Sequence, residues 1–165
     1  MKIKTRTLAH VAILITIEIV LSRFLSISTP VVKIGFAFVP VVICAMLYGP
    51  FWAGVVGGLS DIIGAILFPI GMYFPGFTLS SILSGLIYGL FLYKGPCSWP
   101  KLLTMVLINR ICIGLLLSTY WFTILTKLPF LVLLSSRAIQ AVVLIPVQLI
   151  VIKLLDTKLR NRIEV

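Results

Sequence analysis

From end to end the chain repeats one feature: apolar runs of bilayer-spanning length, parted by short connections. A hydrocarbon core about 30 Å thick takes roughly 20 apolar residues per helical crossing. Inside it every backbone N–H and C=O must be satisfied within the segment, so such runs become helices. Six are expected, over residues 7–26, 35–48, 51–68, 76–93, 100–124 and 130–155. A chain of 165 residues has room for about six crossings and little else, so a single domain over 1–165 follows. The expected fold class is all-α: an integral membrane six-helix bundle. Composition agrees, with 61% hydrophobic residues, 11% charged and a mean hydropathy of +1.22, far from a soluble domain.

The start, MKIKTR before an apolar run, has the basic flank of a secretory signal. The run from Leu8 to Phe24 nevertheless carries His10 and Glu18, lacks a small-residue cleavage site and is followed by several runs like it, so it reads as the first span. Loop charge sets the orientation. With the N-terminus in the cytoplasm, that side holds Lys2, Lys4, Arg6, Lys94, Lys101, Lys153, Lys158, Arg160 and Arg162, against Lys33 and Lys127 outside. The positive-inside rule then places both termini in the cytoplasm of a multi-pass protein of the cell membrane. The formal charge of +10 is thus explained by the bilayer, and no nucleic-acid partner is expected. Cys44, Cys97 and Cys112 stand singly, with no metal-ligand spacing, so neither a metal nor a cofactor is expected.

Tyr48-Gly49-Pro50 reads as a tight turn, Pro50 suiting the first position of the next helix. The connection SISTPVVKIGF between the first two helices and the aromatic connection FPIGMYFPGF between the third and fourth are longer, and both belong on the outer side.

Five ionisable residues fall inside the spans: Glu18, Arg23, Asp61, Arg110 and Arg137. Such groups are costly in a bilayer and usually face the bundle interior or a water-filled cavity. Arg23, near the outer end of its helix, reads either as an interior group or as a side chain snorkelling to the interface. Arg137 is followed at helical spacing by Gln140, Leu144 and Gln148, an inward polar stripe. Arg110, preceded by Asn109, has Gly114 and Ser118 four and eight residues on, small residues that permit either close helix packing or room for a ligand. Asp61 either reads a ligand or balances a buried arginine. Three arginines against two acids leave a positive remainder that suits an anionic ligand. Phe68, Tyr73, Phe74 and Phe77, punctuated by Pro69, Gly71, Pro75 and Gly76, read as an interfacial belt or as a shaped lid over the polar helices. No HExxH, GxSxG or Walker pattern occurs, so the chain does not read as an enzyme, and any ATP-driven step falls to a partner.

KIGFAFVPVVICAMLYGPFWAGVVGGLSDIIGAILFP followed by YFPGFTLSSILSGLIYGLF resembles the folate-specific branch of the substrate-binding S components of energy-coupling-factor vitamin transporters. The resemblance covers most of the chain from Arg23 to Phe91, carried jointly by the GF-F-P, LYGP, D-IGA-LFP and YFPGFTLS elements. It implies a six-helix membrane subunit that captures folate from outside. It further implies docking on a membrane-embedded coupling subunit driven by two ATPases, with toppling of the S component to deliver the vitamin. S components commonly carry an alanine-xxx-alanine docking surface on the first helix; here Ala9, Ala12 and Thr16 supply small residues without that motif. Folate joins a donor-bearing pterin to a glutamyl tail with two carboxylates. Asp61 suits the pterin donors, Tyr73, Phe74 and Phe77 its faces, and Arg23, Arg110, Arg137 and Gln140 the polar remainder. An S component for another anionic vitamin, and a membrane assembly protein without a specific ligand, are the alternative readings.

Overall fold

The structure, a computed structural model, describes residues 5–28, 33–69, 73–93, 98–127 and 129–163. Lys2, Lys4, Gly71, Lys94 and Cys97, named above, lie outside them. The described residues form six helical rods. They are α1 (Thr5–Arg23), α2 (Phe38–Tyr48), α3 (Pro50–Leu67), α4 (Pro75–Leu92), a continuous rod Trp99–Thr126, and α7 (Phe130–Ile163). Five of these are long and apolar enough to cross a membrane; α2, with 11 residues, is shorter.

Two features depart from the expected run of plain helices. A two-residue antiparallel pair, β1 (Ile27–Ser28) with β2 (Lys33–Ile34), closes the connection between α1 and α2. The fifth rod is three segments: α5 (Trp99–Ile108), a π-helical stretch Asn109–Leu117, and α6 (Ser118–Thr126). The wider winding of a π turn leaves carbonyls five residues back, and Ser118 Oγ donates to Ile113 O at 2.8 Å. Arg110 and Gly114 nevertheless stay neighbours, a Cβ on Gly114 falling 3.8 Å from Arg110 Cδ. α7 also continues beyond the expected end at residue 155, and Pro146 within it removes the N–H that would have bonded the carbonyl four residues back.

Prolines and one glycine punctuate the rods as their backbones require. Pro50 and Pro75 open α3 and α4, where a missing N–H costs no helical bond. Gly49, at φ 87°, turns α2 into α3 in a conformation that side-chain-bearing residues rarely adopt. Its N–H donates to Ala45 O at 3.1 Å while its own carbonyl accepts from Ala53 N at 3.2 Å, so the turn is bonded into both helices.

α3 and α4 pack backbone to backbone. Ala53 and Gly57 on one helix face Ser81, Gly85 and Gly89 on the other, each set spaced by four. A Cβ on Gly85 would lie 2.4 Å from Ala53 O, and one on Gly89 2.1 Å from Pro50 Cα. Around this contact the end nearer Pro50 is filled with Val42, Cys44, Ala45, Val56, Tyr88, Leu102, Met105, Val106 and Ile152, all buried. At the opposite end Phe24 and Phe68 meet edge to face with centroids 5.0 Å apart, so the α1–α2 and α3–α4 connections lie on one side, as expected.

Candidate functional site

Polar side chains on α1, α3, α4 and the π segment converge on a cavity of about 220 Å³. α1 contributes Glu18, Ser22 and Arg23, α3 Ser60 and Asp61, α4 Ser81, the π segment Arg110, and α7 Leu144. Four of the five intramembrane ionisable groups thus share one cavity. Two carboxylates and two guanidiniums balance within it; the surplus positive charge is Arg137, which is not among the residues lining it.

The carboxylates are held by hydroxyls. Ser60 Oγ donates to Glu18 Oε2 at 2.6 Å, and it is also close to the carbonyl of Val56 one turn back. Thr78 Oγ1 donates to Asp61 Oδ2 at 2.8 Å and in turn shares a hydrogen bond of 3.1 Å with Tyr73 Oη. Among the described residues Asp61 makes no direct ion pair; its partner is the Thr78 hydroxyl. Arg23 does not snorkel: its guanidinium lies along Gly64, where an added Cβ would be 2.9 Å from Nε. That Nε is buried and lacks a hydrogen-bond partner among the described residues. A buried donor in that condition is a standing energetic cost that a ligand acceptor would relieve.

Arg110 is fixed from behind. Its Nε donates to Gln148 Oε1 at 2.8 Å, and Gln148 Nε2 donates to Tyr88 Oη at 3.2 Å. The stripe expected on the last helix does face inward, with Leu144 and Gln148 buried and Gln140 half-buried. Arg137, at the same helix's outer end, stands apart. Its Cζ sits 4.3 Å from the Phe122 ring centroid, and Nη1 donates to Gly114 O at 3.3 Å.

The aromatic cluster is placed differently from a loop-borne lid. Pro75, Gly76 and Phe77 form the first turn of α4, with Phe74 just before it. Phe77 packs on Phe122 with centroids 4.9 Å apart and Phe74 on Trp121 at 5.5 Å, so the aromatics join α4 to α6. Gly76 makes this possible, because a Cβ there would fall 2.5 Å from Trp121 Cδ2. Ala9, Ala12 and Thr16 lie exposed on α1 and are not among the residues lining the cavity.

Arg23, Asp61 and Arg110, and Glu18, which the sequence marked as an intramembrane acid without a ligand role, line the cavity, whereas Ser60, Thr78 and Tyr88 were left out. Glu18, Ser22 and Ser26 recur every four residues, a polar stripe that marks the cavity face of α1. Nothing comparable marks Tyr88, whose buried hydroxyl only the packed structure connects to Gln148.

A bundle of membrane-spanning helices around a charged intramembrane cavity has the architecture of a membrane-embedded solute-binding subunit. The family model described as "ECF transporter, substrate-specific component" matches residues 6–155, and the chain belongs to that family. It is 42% identical over 149 residues to the Folate transporter FolT of Clostridium novyi (strain NT), covering 90% of this chain and 87% of that one. Against the Folate transporter FolT of Leuconostoc mesenteroides subsp. mesenteroides the identity is 31% over 153 residues, 89% and 82% of the two chains. A crystal structure of FolT bound with folic acid superimposes with a TM-score of 0.90 at 34% identity, over 94% of this chain and 95% of that chain.

Proposed function

We propose that the chain is the folate-binding S component of an energy-coupling-factor transporter. It captures folate from outside the cell and delivers it with a membrane-embedded coupling subunit and two ATPase subunits. The observation that carries this reading is the intramembrane cavity itself. It combines acceptors for a pterin (Asp61, Glu18) with guanidiniums for carboxylates (Arg23, Arg110), in a chain that superimposes on a folic-acid-bound relative. The whole chain acts as one binding domain, with the Phe68 end outward and both termini in the cytoplasm.

Within this reading Asp61 takes the pterin donors, with Tyr73 acting on it through Thr78. Phe74 and Phe77 form an aromatic wall, while Arg137 and Gln140 lie toward the outer end of α7. Ala9, Ala12 and Thr16 serve the coupling subunit. Thr16 Oγ1 donates back to Ala12 O at 3.0 Å, so its hydroxyl is spent within the helix and the exposed surface stays small and apolar. Transport, not catalysis, is the role.

The test is to purify the chain alone, titrate it with folate, and reconstitute it in liposomes. Saturable binding without accumulation is expected, since no nucleotide-binding pattern occurs in the chain. Absence of folate binding would overturn the ligand, and ATP-independent accumulation would make it a secondary transporter.

A further inference from the structure

Arg110 enters the cavity from the second position of the π segment, with its donors divided between Nε and the two terminal nitrogens. Nε is already committed to Gln148 Oε1. A guanidinium only donates, so the oxygen of the Gln148 carboxamide must face it and the nitrogen must face Tyr88. The orientation of the amide is therefore set by the cation it serves. Gln148 is 1% exposed and Tyr88 2%, and neither lines the cavity. A polar pair so deeply buried is costly unless bonded, and an apolar pair would fill the space more cheaply. With Nε tied back, the edge of Arg110 left for a ligand is the pair of terminal nitrogens, which matches a carboxylate two-pronged.

We infer that Gln148, backed by Tyr88, is a positioning residue that holds Arg110 by Nε, leaves its terminal nitrogens to the cavity, and so sets the preference for ligands bearing a carboxylate. The choice of ligand rests on the folate reading above. The side chain touches no ligand itself; it acts through Arg110.

The experiment compares folate with folate dimethyl ester, which keeps the pterin and the shape but removes both charges. The unmodified protein should prefer folate. Gln148→Leu should reduce that preference by about tenfold, the scale of one charge-assisted hydrogen bond, while ester binding changes less than about twofold. Gln148→Glu keeps an acceptor for Nε, and so a folded protein, but neutralises the arginine it holds; its preference should fall at least as far. A residue that merely supports the fold would weaken both ligands alike. Equal losses in Gln148→Leu, or an undiminished preference in Gln148→Glu, would overturn the inference alone. If the unmodified protein bound neither ligand, the folate reading would fall and the inference with it.

Discussion

Two glycines on opposite halves of the bundle meet very different neighbours. A Cβ on Gly89 would lie 2.1 Å from Pro50 Cα, against the backbone of the neighbouring helix. A Cβ on Gly64 would lie 2.9 Å from Arg23 Nε, against the far end of a long side chain. Near Pro50 the helices touch through their main chains and leave nothing to adjust. Near Phe68 the space between them is occupied by side chains that carry charge and can move. The same helices thus form an apolar base in main-chain contact and a polar chamber lined by charged side chains, and the proposed binding site lies in the chamber.

The largest effect should come from Gly89→Leu. Overpacking a well-filled contact costs about 1 to 3 kcal/mol, and more where only backbone could yield, so the melting temperature should fall by on the order of 10 °C or folded protein should not be recovered. Gly64→Ala should keep a near-normal melting temperature and weaken folate binding by displacing Arg23. Thermal unfolding of both variants in detergent decides this. Similar losses of stability in the two would erase the contrast between the halves.

Asp61→Asn comes next and acts on the chamber alone. The variant keeps the side chain's shape but turns one acceptor oxygen into a donor facing the donors of a pterin. Losing a buried charge-assisted pair costs on the order of 2 to 5 kcal/mol, which weakens affinity by tens to thousands of fold. Because Asp61 makes no ion pair among the described residues, the ligand-free melting temperature should hardly change. Near-normal affinity with a lowered melting temperature would instead return Asp61 to a structural role.

These variants also mark what could be read from sequence. Helix number, the tight turn at Gly49, the shared side of the two long connections and the inward arginines were legible, because apolar length, proline position and misplaced charge are local signals. The π stretch was not, since Asn109 to Leu117 reads as an ordinary apolar helix and only the packed neighbours, Gln148 behind Arg110 and Arg137 over Gly114 O, accompany the wider winding. Nor was the packing of Phe77: its place in a helix beginning near residue 76 was expected, but its contact is with Phe122, a residue distant in sequence. The glycines of the apolar base were visible as letters, but their partners were not.

The smallest effect should come from Thr78→Val, which tests how finely the chamber is tuned. Valine preserves the branched shape and removes one hydroxyl, the link between Tyr73 Oη and Asp61 Oδ2. A single hydrogen bond is worth about 0.5 to 1.5 kcal/mol net, so folate affinity should fall by roughly two- to tenfold, and Thr78→Ser should restore it. The relay adds a sharper condition. If Tyr73 acts on Asp61 only through this hydroxyl, Tyr73→Phe should weaken binding in the otherwise unmodified protein yet change nothing further once Thr78 is valine. Additive losses would mean that Tyr73 meets the ligand directly. A loss in Thr78→Val as large as that in Asp61→Asn would mean that the carboxylate cannot hold its place without the hydroxyl, and the chamber would then be as unyielding as the base.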